Sequence, residues 1–428
     1  MANSYENITE KKTFTGYQVF MIVVLAFLQF TVILDFMVLA PLGVIVMPKL
    51  HATTAQFSGI VSSYALCAGI FGFISAGFMD RFDRKKLLLF FYTGFLGGTA
   101  LCAFANTYET LLGARIVTGI FGGGIGSIGF AIITDIFRVE TRGRVMGFVQ
   151  MAFAASQVLG LPIGLYLANL LSWHAPFMMI AIIGVLMGFV ILLFMKPVAE
   201  HLKIKSDKNP FLHLAHTISN SAYIRAFLGT SLLATGGYMM MPFGSNFAIF
   251  NLGLKMDQLP YLYAITGVFT ILFGPMIGVL SDKIGKYVTF IAGTIISFIM
   301  VMIYTNLGIT SFALIATFNV ILFAGISARM IAASSLMTSV PEAADRGAFM
   351  SINSSIQQIS GSIASFVAGM IVYQEPSGKI EHYPTLGYVV GGSMIVAAIL
   401  MFAVNKYVKA KMARVAAEQP AATVPANV

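Results

Sequence analysis

Six charges fall within the seven residues Asp80-Arg81-Phe82-Asp83-Arg84-Lys85-Lys86, and the flanking segments 57–79 and 87–104 carry none. Each flank is close to the ~20 residues that cross a bilayer as a helix, so the charged run must sit at one membrane face. Four of the six charges are positive, which predicts a cytoplasmic loop. Lipid offers the backbone no hydrogen-bond partner, so segments that cross it must be helices or close into a barrel, and continuous apolar runs of this length are helical.

The run returns as Gly278-Val279-Leu280-Ser281-Asp282-Lys283-Ile284-Gly285-Lys286, with Asp282 standing 202 positions after Asp80. A second pair, Glu140-Thr141-Arg142-Gly143-Arg144-Val145-Met146 and Ala344-Asp345-Arg346-Gly347-Ala348-Phe349-Met350, repeats at a separation of 204 from Arg142 to Arg346. Two motifs at nearly one offset indicate a duplicated half, a known plan of membrane transporters.

Composition agrees. Hydrophobic residues make up 58% of the 428 and charged ones 10%, against ~25% in soluble domains. The net charge of +9 does not indicate nucleic acid, because 21 of the 26 Lys and Arg fall in the N-terminal segment, one set of loops and the C-terminal tail. That asymmetry is the positive-inside pattern. The polar, partly acidic segment 1–15 is not expected to be a cleaved signal peptide. Cys67 and Cys102 sit in apolar segments and read as small buried hydrophobes.

The expected fold is an all-α polytopic membrane protein, twelve transmembrane helices arranged as two pseudo-symmetric six-helix bundles. Spans 1 to 6 are placed at 17–47, 57–79, 87–104, 111–137, 145–171 and 177–195, and spans 7 to 12 at 222–250, 261–280, 288–305, 312–339, 348–373 and 387–407. The domains are then 1–195, a linker at 196–221, 222–407 and a disordered tail at 408–428. Asn209-Pro210 opens either a short helix lying along the cytoplasmic surface, since proline is favoured at a first helical position, or a plain solvated linker. Trp173 suits the outer interface. Glycines 119, 122, 123, 124 and 126 let another helix approach span 4 closely.

The duplicated loop resembles the signature between helices 2 and 3 of the major facilitator superfamily, G-x-L-a-D-r-x-G-r-k. Asp80, Arg81, Arg84 and Lys85 take its charged positions, while Ala76 and Asp83 replace its two glycines. Arg115-Ile116-Val117-Thr118-Gly119 resembles a second signature, R-x-x-q-G, with Thr118 at the glutamine. Gly160-Leu161-Pro162-Ile163-Gly164 partly resembles the antiporter signature of drug and sugar exporters. The resemblance is nearest to the proton-coupled efflux branch, which includes arabinose exporters. It implies that Asp80, Arg81, Arg84, Asp135, Asp282, Lys283, Arg142 and Arg346 act in gating.

Asp35 is the only carboxylate deep in an apolar segment, a placement that costs at least ~2.5–3.5 kcal/mol and marks a functional candidate. Arg115 is its natural partner, and the two are the expected proton-coupling pair. Arg329, a third intramembrane charge, either binds an anionic substrate group or bonds backbone carbonyls. Tyr238, Met239 and Asn246 of span 7 offer an adaptable binding stripe, packing being the alternative. Gln150 and Gln157 of span 5, and Asn353, Gln357 and Ser360 of span 11, form polar faces that either line a cavity or bond neighbouring helices. No phosphate loop, zinc spacing or nucleophile elbow occurs, so neither an enzyme nor a cofactor is expected.

The resulting expectation is a monomeric, multi-pass protein of the inner membrane with cytoplasmic termini, exchanging protons for small amphipathic compounds by alternating access. A metabolite symporter or facilitator, possibly for an anion, and a non-transporting receptor are the alternatives.

Overall fold

The computed structural model describes residues 14–203, 210–342 and 345–418. Spans 1 to 4 are Gly16–Lys49, Thr54–Ala76, Arg84–Phe104 and Tyr108–Ile136. Span 5 runs through Val139–Ala155, a π turn at Ser156–Gly160 and Leu161–Leu170, and span 6 is Ala175–Phe194. The linker helix is Pro210–Ser219, where the proline placed it. Span 7 is Ser221–Met240 followed by Gly244–Phe250. Spans 8 to 12 are Leu259–Ile284, Lys286–Thr305, Phe312–Ser339, Arg346–Ile371 and Tyr383–Glu418.

Ten of these are long and apolar enough to cross a membrane by themselves. The remaining two are span 7, broken around Pro242, and span 11, thick with Ser, Asn and Gln. The twelve-helix, all-α membrane fold expected from the sequence is therefore present.

Two local expectations are corrected, and one element is new. Span 12 does not stop at 407: residues 408–418 are helical rather than disordered, and 419–428 lie outside the described residues. Lys411 anchors that extension by donating to Val340 O and Pro341 O at 3.1 and 2.8 Å, where the carbonyls ending span 10 need donors. Trp173 is 4% exposed and packed against His174 and Phe177, so it belongs to the core rather than an interface. Between spans 11 and 12 lies an unexpected two-stranded hairpin, Tyr373–Gln374 with Ile380–Glu381. Lys379, just before its second strand, and Glu381 within it form an ion pair at 2.6 Å.

The two copies of the charged loop turn by different chemistry. Gly285 sits at φ +98°, a conformation L side chains avoid, and is the single residue between spans 8 and 9. Asp83, at the equivalent place, has φ −58° and accepts from the N–H groups of Lys85 and Lys86, capping span 3. The replaced glycine is thus an alternative solution for starting the next helix.

Small residues set the packing within and between the halves. A Cβ on Gly98 would stand 2.6 Å from Thr118 Oγ1, and one on Gly293 would stand 2.8 Å from Gly325 O, so spans 3 and 4 and spans 9 and 10 touch backbone to backbone. The expected glycine face of span 4 packs on span 2: a Cβ on Gly119 would meet Tyr64 O at 2.5 Å. Between the halves, Thr54 Oγ1 donates to Val372 O at 2.9 Å, and Ser362 Oγ to Ser62 O at 2.8 Å. Spans 5 and 8 meet where a Cβ on Gly267 would stand 2.7 Å from Val158. Asn246 to Met47 and Asn169 to Met256 add contacts, so the halves close on each other at the end that carries the hairpin.

Candidate functional site

Asp35 and Arg115 meet inside the first half, both fully buried, with Nη1 of the arginine 2.7 Å from Oδ2 of the aspartate. The same nitrogen donates to the Asp35 backbone oxygen at 3.1 Å. Thr99 Oγ1 of span 3 donates to the other carboxylate oxygen at 3.0 Å. The Arg115 guanidinium lies over the Tyr64 ring, 4.5 Å from its centroid, and span 2 thereby closes the fourth side. Among the described residues, Nε and Nη2 of Arg115 and the Tyr64 hydroxyl find no hydrogen-bond partner. A buried ion pair offsets its desolvation only when its remaining donors and acceptors are satisfied, and two of the three guanidinium nitrogens here are not.

From the pair a row of rings crosses to the second half. Phe36, next to Asp35 in the chain, lies 5.3 Å from Tyr64 and 5.8 Å from Tyr238 of span 7. Tyr238 in turn donates to Gln358 Oε1 of span 11 at 2.6 Å. Asp35 and Arg115 were legible as charges in apolar segments. Thr99, Tyr64, Phe36 and Gln358 were not, since neutral side chains of these types are common in any span; adjacency to Asp35 was the one available signal, and it pointed to Phe36.

Span 5 brings its π turn against this region. Pro162 has no N–H, so the helix cannot close its ordinary bond one turn back, and Leu161 N–H reaches Ser156 O instead. Gly160 and Gly164 then lie close on span 1: added Cβ atoms would stand 2.6 Å from Leu34 Cδ1 and 3.1 Å from Val38 Cγ2. The antiporter-like motif therefore packs span 5 on either side of Asp35. Gln157 is buried in the π turn, while Gln150 lines a cavity of about 20 Å³ with Gln29, Phe130 and Leu28, room for about one water.

The other expected site residues are more scattered. Asn353 accepts from Thr230 at 2.6 Å and Ser360 pairs with Ser231 at 2.6 Å, so that face bonds span 7 within its own half. Gln357 is half-buried, and its neighbour Gln358 takes the contact to Tyr238. Met239 is core, and Asn246 is buried at the hairpin end with Nδ2 3.6 Å from Met47 Sδ. Arg329 is buried without a hydrogen bond to a carbonyl among the described residues.

At the charged-loop end, Arg84 pairs with Asp135 at 3.0 Å and also donates to Met79 O. Arg142 donates to Phe137 O and Thr134 O, capping span 4. Arg81, Asp282, Lys283 and Arg346 are exposed. The side chain of Asp80 is outside the described residues.

Residues 25–364 and 226–426 match the family model of the Major Facilitator Superfamily, and the chain belongs to that superfamily. It is 28% identical over 271 residues to the uncharacterized MFS-type transporter YceJ of Bacillus subtilis (strain 168), covering 63% of this chain and 68% of that protein. To multidrug resistance protein 3 of the same organism it is 38% identical over 156 residues, 36% of this chain and 30% of that protein. Its fold superposes on the nucleoside transporter NupG with TM-score 0.72 at 16% identity, covering 90% and 99% of the two chains. A bacterial homolog to the human lysosomal transporter Spinster, inward-facing and occupied, gives TM-score 0.68 at 15% identity over 92% and 97%. The protein is a multi-pass membrane transporter of this type, with a small-molecule substrate and the lipid bilayer as its surroundings.

Proposed function

We propose that the protein exports small amphipathic compounds in exchange for protons, with Asp35 as the proton-binding group and Arg115 and Thr99 setting its surroundings. The observation that carries this reading is the fully buried Asp35–Arg115 pair at 2.7 Å, the one described carboxylate at mid-membrane depth. A carboxylate so placed either keeps its cation or takes a proton when the cation moves away. Moving one proton charge inward releases ~2.3 kcal/mol per 100 mV, enough to drive an uphill exchange. Phe36 supplies a route from that event to the substrate, because a shift of span 1 moves its ring against Tyr64 and Tyr238 together. Tyr238 and Gln358 are the proposed substrate contacts at the boundary between the halves, with Gln150 and Gln157 on the opposite wall.

Export is supported by the partial antiporter signature at Gly160–Gly164 and by the likeness to a relative named for multidrug resistance. The loops with Arg84 and Lys286 and both termini are proposed to face the cytoplasm, where their positive charge is favoured, with the protein a monomer in the inner membrane. In proteoliposomes with an imposed pH gradient, wild type should move an amphipathic fluorescent dye and Asp35→Asn should not, while dye binding by the purified variant is retained. Gradient-driven transport by Asp35→Asn at the wild-type rate would overturn the assignment.

A further inference from the structure

Among the described residues, the second half holds one buried positive charge with no acidic partner. Arg329 lies 17 residues into span 10 and 10 from its end, so roughly 15 Å of helix separates it from the nearer terminus. It is 4% exposed. Its Nε and Nη2 have no hydrogen-bond partner. The surroundings are apolar or bare backbone: the Phe290 ring centroid is 5.8 Å from Cζ, and a Cβ on Gly236 would stand 4.0 Å from Nη1, with Val390 and Met394 beside the same glycine. Every Asp and Glu between positions 222 and 407 falls near a span end or in a loop: 257, 282, 342, 345, 375 and 381.

Arg115 in the first half meets the same demand with Asp35, but Arg329 has no such partner. An isolated charge in low dielectric costs several kcal/mol, so a chain retains one only where something compensates it. A second orphan stands close by. Ser297 Oγ of span 9 is buried without a partner, and a Cβ on Gly325, one turn before Arg329, would stand 2.6 Å from it. Gly293 of span 9 packs on the Arg329 backbone and Ser297 on Gly325, so both orphans lie on the seam between spans 9 and 10. Two guanidinium nitrogens and a hydroxyl along that seam have no hydrogen-bond partner among the described residues.

We propose that Arg329, with Ser297, binds a small monovalent anion, a halide or a carboxylate, among spans 7, 9, 10 and 12. One guanidinium balances one negative charge, and the walls of Phe290, Val390 and Met394 exclude a strongly hydrated polyanion. The site lies apart from Asp35 and does not depend on proton coupling.

The test is thermal unfolding of the purified full-length protein in detergent, with chloride or acetate replacing gluconate at constant ionic strength. The Tm of wild type should rise and saturate with either anion, as for a ligand that binds only the folded state. Arg329→Met should show no rise, and without anion it should start above wild type, because an uncompensated buried cation has been removed. Ser297→Ala keeps the cation and should need a several-fold higher anion concentration. A response to chloride and acetate that disappears with longer carboxylates identifies a free resident anion, and one that grows with carboxylate size identifies a substrate group. No saturable response in wild type, or the same response in Arg329→Met, overturns the proposal; should Arg329→Met fail to fold, an unchanged response in Ser297→Ala does so.

Discussion

Asp35 has two oxygens and two different partners, and the neutral one is the more informative to remove. Thr99 donates to Oδ1 while Arg115 takes Oδ2, so Thr99→Val deletes one hydrogen bond at nearly constant volume. A buried acceptor left without its donor costs about 1–3 kcal/mol, which should appear as a lower Tm in detergent. Thr99→Ser keeps the hydroxyl and should restore most of it. Equal Tm values for the Val and Ser variants would mean that the Thr99 bond contributes nothing. The charged members of this site could be read from the sequence, because a charge in an apolar run has few explanations. Thr99 could not, since a threonine in a span more often bonds its own helix, as Thr31 does to Leu28 O.

Span 5 shows how a sequence motif becomes geometry. Pro162 withholds one N–H, the helix widens into a π turn, and Val158 swings against Gly267 of the other half. Pro162→Ala returns the donor and lets the span close as a regular α-helix. A regained hydrogen bond is worth about 0.5–1.5 kcal/mol, so the variant should unfold at a higher temperature. Transport should slow several-fold, because the contact between spans 5 and 8 then has a different register. A variant as fast as wild type would remove the π turn from the mechanism. Span 11 offers the complementary case: its period placed Asn353, Gln357 and Ser360 on one face, yet Asn353 and Ser360 bond span 7 and the neighbouring Gln358 reaches Tyr238. Helical spacing identifies a shared face but not the helix it meets.

For the whole molecule, the contacts at the hairpin end define one conformational state. Spans 2 and 11 join at Thr54 and Val372, and spans 5 and 8 at Asn169 and Met256. Alternating access requires these contacts to part. With Cys67 and Cys102 replaced by alanine, cysteines at Thr54 and Val372 joined by a short bifunctional thiol reagent should stop transport in proteoliposomes. Cleaving the linker should restore it. Full transport by the joined protein would show that the halves do not separate there.

Apolar runs and charge placement alone determined twelve spans and the partnership of Asp35 with Arg115, since a bilayer permits few answers to those patterns. Only the tertiary structure decided which neutral groups surround that pair, how Asp83 replaces a glycine by capping span 3, and that Lys411 closes the end of span 10. It also decided that Arg329 is left without a hydrogen-bond partner among the described residues. The division has one physical cause. The cost of placing charge and bare backbone in lipid is paid by each segment on its own and is visible along the chain, whereas hydrogen bonds and ring contacts between helices depend on rotation and register, which exist only once the helices have packed.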